Sequence, residues 1–352
     1  MTKTKKRIMM KLYIKGMSSD KSTKSEPNGL SAVRTRHLLP SKKLAMKLLA
    51  GILLLLVALG TRAQQESAFT QYVFNNLTLN PAYAGYREAM DLTAIHRSQW
   101  VGFEGAPQTS VVSFNTPLNA NRLAVGATLM NDRIGPSNQT SFSADFTYRL
   151  PVSQRSTLAF GLKGTASLYQ ASIADLELID PTDELYATNT KGVFMPNVGV
   201  GAFYYNEDFF VGLSVPRLLK NDMYNPDNQD VSTMVATTQP TAYLMSGAVF
   251  EVNREIKFNP TVLIKHTEGA PLSAGLFANF IFWDTWRAGA FYNYGEMAGG
   301  VVQWQINNQL RIGYSFDVAV NELIATNLGS HELMLNYRFK FRRKRIVYPR
   351  YF

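Results

Sequence analysis

The sequence predicts an all-β fold: a transmembrane antiparallel β-barrel of about fourteen strands, preceded by a short N-terminal segment. Three observations predict it. A leader for export opens the chain, side chains alternate with period two over most of the remaining residues, and the connections sort into short and long along the strand order.

The leader comes first. Lys42, Lys43 and Lys47 precede an apolar run from Leu48 to Leu59, and GTRA ends at Ala63 before Gln64. A basic start, a hydrophobic run of about 7–15 residues and a small residue at the cut describe a secretory signal peptide. Twelve apolar residues are too few to span a bilayer, which takes about 20; the competing reading is a short membrane anchor. Met46 would open a compact signal of its own, so 1–45 reads as an extension upstream of the true start. Residues 1–63 form one unit, 64–88 a periplasmic or plug segment, 89–342 the barrel and 343–352 a basic tail.

That division changes the meaning of the charge. The whole chain of 352 residues carries +10, which suggests nucleic acid as a partner. Residues 1–63 hold 14 of the 36 basic and 2 of the 26 acidic residues, so the remainder has 22 against 24. Seven of those 22 lie in Arg338–Phe352. The basic character belongs to the two ends, and nucleic acid is excluded as a partner. No cysteine occurs, so an exported product has neither a disulfide framework nor an acylated lipoprotein cysteine.

From Met90 onward the alternation takes over. In SFSADFTYRL (141–150), Phe142, Ala144, Phe146, Tyr148 and Leu150 share one face, opposite Ser141, Ser143, Asp145, Thr147 and Arg149. Leu310–Val318 and Leu333–Phe341 repeat the pattern. Successive strand side chains point to opposite faces, so each segment has an apolar and a mostly polar wall. A soluble sandwich also alternates, but with strands of about 5–6 residues. Here most segments run about 9–11 residues, the length that crosses a bilayer when tilted. Aromatics near their ends, at Tyr148, Tyr169, Tyr204, Tyr205, Phe282, Trp283, Trp286 and Trp304, fit interfacial girdles.

Strands are expected near 90–98, 108–116, 122–131, 139–150, 156–169, 195–205, 209–216, 241–252, 256–265, 272–283, 285–294, 297–306, 309–319 and 331–342. Connections after even-numbered strands are mostly tight, as at 206–208, 253–255 and 307–308. Those after odd-numbered strands are mostly longer, with 170–194, 217–240 and 321–330 the largest; 295–296 is a short exception. Outer-membrane barrels have short periplasmic turns, longer outer loops and even strand counts. A sandwich has no reason to sort its loops, because both its ends face the same water.

The segment QYVFNNLTLNPAYAG (71–85) lies between leader and first strand and fits neither period. Asn80-Pro81 reads as extended or turning, because proline disfavours helix at the preceding residue. Asn75, Asn76 and Asn80 can satisfy irregular backbone with their side chains. Such backbone is tolerated at membrane depth when buried in protein, so 64–88 is expected to tuck into the periplasmic mouth or lumen as a plug. The alternative is a periplasmic tether. Gln71, Tyr72, Phe74, Asn75 and the run Asn80, Pro81, Ala82, Tyr83 to Gly85 resemble the start of the PorP/SprF family of Bacteroidetes type IX secretion outer-membrane proteins. Arg97, Gln99 and Trp100 in HRSQW, with GAP at 105–107 and HELMLNYRF at 331–339, extend the likeness over nearly all of the mature chain. The resemblance implies a barrel that works with type IX components on secretion or surface attachment of proteins with a C-terminal sorting domain, gliding adhesins among them. It supplies no catalytic or ligand residue.

No catalytic, cofactor-binding or metal site is expected. His96, His266 and His331 have no His or Cys at ligand spacing, and no Gly-x-Ser-x-Gly elbow or phosphate loop occurs. Gly161 and Gly164 read as small residues where neighbours leave little room. DLELIDPTDE (175–184) gathers five carboxylates but lacks a calcium loop's glycine and spacing. The basic run 342–345 would meet the periplasm, against anionic headgroups or an acidic protein. Two functions remain: a secretion-associated structural barrel contacting outer-membrane lipid, type IX components and a secreted surface protein, or a channel for small or hydrophobic solutes.

Overall fold

The computed structural model describes residues 70–118, 122–172, 190–224, 234–320 and 328–339. The leader, the acidic loop 175–184 and the basic run 342–345 lie outside the described residues. Fourteen strands form the wall: β1 Met90–Ser98, β2 Gln108–Pro117, β3 Leu123–Ile134, β4 Ser137–Pro151, β5 Thr157–Ala171, β6 Thr190–Tyr205 and β7 Phe209–Val215, then β8 Thr241–Ala248, β9 Ile256–Thr267, β10 Ser273–Phe282, β11 Trp286–Asn293, β12 Met297–Gln305, β13 Leu310–Ala319 and β14 Ser330–Phe339. Each pairs antiparallel with its chain neighbour, and β1 closes on β14 from Met90 opposite Phe339 to Ser98 opposite His331. After Val249, β8 continues as a two-residue stretch, Phe250–Glu251. The β7–β8 connection carries its own ribbon, Asn221–Tyr224 with Met234–Thr238.

Closure leaves no strand edge, the condition for crossing hydrocarbon. Among the described residues no helix is long and apolar enough to cross a membrane; strands do the crossing. Their facing follows the alternation. On β4, Phe142, Phe146, Tyr148 and Leu150 are exposed outward, while Ser141, Ser143, Asp145, Thr147 and Arg149 are buried inward. The inner wall is itself hydrogen-bonded between β4 and β5. Ser141 and Ser167 hydroxyls meet at 2.7 Å, Ser143 and Thr165 at 2.9 Å, and Lys163 pairs with Asp145 at 2.9 Å. Phe146→Arg would put a charge in lipid and should cost about 2–4 kcal/mol near the midplane. Ser143→Arg, expected from the sequence to be mild, has no hydrated lumen to enter, because Ser143 is buried against Thr165. Ser143→Ala is the proper inward control, and denaturant titration in detergent separates it from Phe146→Arg.

Four tight turns share one device. The side chains of Ser153, Asn206, Asn253 and Asn307 each accept from the backbone N–H groups two and three residues on, at 2.7–3.2 Å. Short polar side chains thus satisfy turn backbone where the strands reverse.

Several sequence expectations need correction. Residues 132–138 were expected to form a loop, but β3 and β4 run on to a tight turn at Gly135 and Pro136, so that outer connection is short. β4, β5 and β6 have 15, 15 and 16 residues, more than a crossing needs. Tyr205 and Tyr169 belong to no girdle: both are buried inside. Trp286 and Trp304 do face outward at the short-turn end, their rings stacked 5.2 Å apart.

Candidate functional site

The interior is occupied by the chain's own Thr70–Glu88. Thr70 and Gln71 lie level with the outer ends of β1, β13 and β14, and the segment descends to Met90 at the opposite end. Its reach is therefore the lumen rather than the periplasmic mouth alone. Two short 3-10 turns, Thr70–Phe74 and Pro81–Tyr83, shape it. Asn80 is extended (φ −134°), as its proline neighbour requires, and its Oδ1 accepts from Ala82 N at 2.9 Å. Asn75 and Asn76 do not cap backbone in this way. Asn75 Oδ1 instead accepts from Ser113 Oγ on β2 at 2.7 Å.

The segment is fastened to strands on many sides. Asn80 Nδ2 donates to Ala202 O on β6 at 3.0 Å, Thr147 Oγ1 on β4 to Pro81 O at 2.7 Å, and Ser214 Oγ on β7 to Leu79 O at 2.8 Å. Lys163 Nζ on β5 reaches Leu77 O at 3.2 Å. Such close approach needs missing side chains. A Cβ at Gly161 would fall on Ala82 N, and one at Gly201 on Asn80 Oδ1. Gly164, three residues on, faces outward with nothing within 4 Å, so the two glycines read together in the sequence differ in role. Gly85 has φ +71° and its N–H reaches Asn115 Oδ1 at 3.1 Å; a side chain there would meet Ala124. Tyr83 packs on Phe203 with ring centres 5.7 Å apart, and Tyr72 edge-on to Phe277 at 5.3 Å.

A charged node holds the upper end. Arg97 of β1 forks onto Asp317 of β13 at 2.6 and 2.9 Å and reaches Glu332 of β14 at 3.4 Å. Glu332 accepts from Thr70 N and Gln71 N, both at 2.7 Å. Gln71 Oε1 accepts from Gln303 at 3.3 Å. All these groups are buried. Carboxylate bonds to backbone N–H groups are charge-assisted and strong, so the node ties three strands to the start of the segment.

A family profile described as type IX secretion system membrane protein PorP/SprF matches residues 61–337. The chain belongs to the PorP/SprF family. The matched region takes in both the inner segment and nearly all of the PorP/SprF barrel. No curated protein sequence matches the chain. Among solved structures it is similar to Omp33 of Acinetobacter baumannii, with TM-score 0.42 and 11% identity over 72% of this chain and 100% of that one. It is also similar to a Pseudomonas aeruginosa FadL homologue, with TM-score 0.42 and 12% identity over 75% and 94%. As a closed barrel in a family of type IX secretion membrane proteins, the molecule is an outer-membrane barrel.

Of the residues singled out in the sequence, Gln71, Tyr72, Phe74, Asn75, Asn80, Pro81, Ala82, Tyr83, Gly85 and Arg97 come together inside. Gln99 and Trp100 do not. Both lie in the outer β1–β2 connection, where Gln99 N donates to Pro107 O and Trp100 N to Ser330 Oγ. Asp317, Glu332 and Gly201 were missed, while the crowding read at Gly161 is present and comes from Pro81 and Ala82. A buried acid on the polar face of a strand was the available signal for the first two.

Proposed function

We propose that this barrel is a structural component of the type IX secretion system, supporting secretion or surface attachment of proteins with a C-terminal sorting domain, such as gliding adhesins. Residues 64–88 act as its fixed plug, and the work is done by contacts of the rim and outer loops with type IX components and the secreted protein. The reading assigns the chain no catalytic step. What carries it, beyond family membership, is the bonding of the inner segment to β1, β2, β4–β7 and β14 through buried groups, which suits a scaffold better than an open conduit.

A deletion strain tests it. Loss of a specific surface protein or of motility, with solute uptake intact, is the expected result. Altered uptake with normal secretion would instead make the barrel a solute channel.

A further inference from the structure

Below the plug, at the short-turn end, four arginines gather. Arg287 opens β11, Arg311 opens β13, Arg338 lies near the end of β14, and Arg87 comes from the inner segment just before β1. Arg87 and Arg287 are buried, and Arg287 stands 4.9 Å above the Phe74 ring. Arg311 and Arg338 are partly exposed, so they form the accessible layer. Arg311 stands opposite Asn336 of β14, two residues before Arg338, and Arg338 stands opposite Asp91 of β1.

The acid available to them is scarce. β1 and β11–β14 carry three carboxylates, Asp91, Asp317 and Glu332. Arg97 engages the last two at the other end. Asp91 pairs with Arg87 at 3.3 Å and with Arg338 at 3.9 Å, and also accepts from Asn336 at 3.1 Å. Glu88, next to Arg87, reaches Arg149 at 3.5 Å, and Asp284, in the turn before β11, is paired with Lys257 at 2.8 Å. The partner of Arg311 is the neutral amide of Gln305, at 2.7 Å. Arg87 and Arg338 therefore share Asp91, and Arg287 and Arg311 add two further guanidinium charges to the same inward patch.

Partly desolvated like charges repel, and an incoming anion relieves them. Guanidinium forks match carboxylate and phosphate oxygens two at a time. The patch faces the barrel interior and not its lipid wall, which sets lipid headgroups aside. Several forks spread over β11, β13 and β14 fit a chain of carboxylates better than one small ion. We propose that the periplasmic mouth is a binding site for an acidic peptide segment, with Arg311 and Arg338 taking its carboxylates and Arg87 and Arg287 supplying the field behind them. The site is defined by charge and position alone, so it stands or falls separately from the secretion reading.

The probe is fluorescein-labelled hexaglutamate added to the full chain in neutral detergent and followed by anisotropy. Saturable binding that weakens between about 50 and 200 mM salt is expected, because exposed charge contacts are screened over that range. The pair Arg311→Gln and Arg338→Gln should weaken it by about tenfold or more, the loss of one or two charge-assisted contacts. Neutralising 342–345 should change it less. Protection of Arg311 and Arg338 from phenylglyoxal by hexaglutamate, read by mass spectrometry on the unaltered protein, should accompany binding. Unprotected arginines, or wild-type affinity in the double variant, would overturn the proposal. So would competition by inorganic phosphate or phosphatidylglycerol micelles at the same carboxylate- or phosphate-group concentration as unlabelled hexaglutamate.

Discussion

Replacing Arg97 by leucine should cost the barrel about 3–5 kcal/mol, the penalty for stranding buried carboxylates without their cation. Asp317 is 2% exposed and Glu332 fully buried, so neither carboxylate can turn to water. Glu332 also holds the N–H groups of Thr70 and Gln71. Its displacement would loosen the inner segment along with the wall. The fork onto Asp317 uses two nitrogens, so Arg97→Lys, which keeps charge but loses the fork, should recover only part of the loss. Adding Asp317→Asn and Glu332→Gln to Arg97→Leu should recover more, since a neutral set need not be charge-balanced. Urea unfolding in detergent, read by heat-dependent gel migration, measures all three. A cost under about 1 kcal/mol, typical of an exposed pair, would mean that the node is hydrated.

The number of strands and their facing were legible because lipid and a packed interior demand opposite residues of successive positions. Phe146 beside Asp145 or Ile312 beside Arg311 leaves little choice of face. The signal faded where that demand stops. Asp132, Arg133, Ser137 and Asn138 extend β3 and β4 past the apolar stretch, and their polar side chains carry no period. Near strand ends parity is lost, and an aromatic can point either way; Tyr205 turned inward onto Tyr86, 4.8 Å between ring centres. The inner segment was legible as a motif because Asn-Pro and its flanking small residues serve local backbone needs. Its seat was not. Glu332 lies 262 residues from Thr70, and Gly161 is separated from Ala82 by four strands, so only closure of the cylinder brings each pair close.

Gly161 and Gly164 give the sharpest test of that seat, since they share one strand and differ in face. Gly161→Val would drive its side chain into the backbone of Pro81 and Ala82, which have no rotamer to change. Overpacking of this kind costs about 1–3 kcal/mol, and the cheaper response is for the segment to lift from β5. Lifting breaks the Thr147 bond to Pro81 O and the Asn80 bond to Ala202 O but leaves the β5 ladder intact, so barrel closure should survive. Chymotrypsin should then cut at Tyr72, Phe74 or Tyr83 about tenfold to a hundredfold faster than in the parent, because cleavage of a transiently open segment tracks its open population. Gly164→Val adds a lipid-facing side chain where nothing stands within 4 Å, and its cleavage rate should match the parent's. Equal rates for the two variants, or free cutting between Tyr72 and Gly85 in the parent itself, would remove the inner segment from the lumen and return the barrel to the class of open conduits.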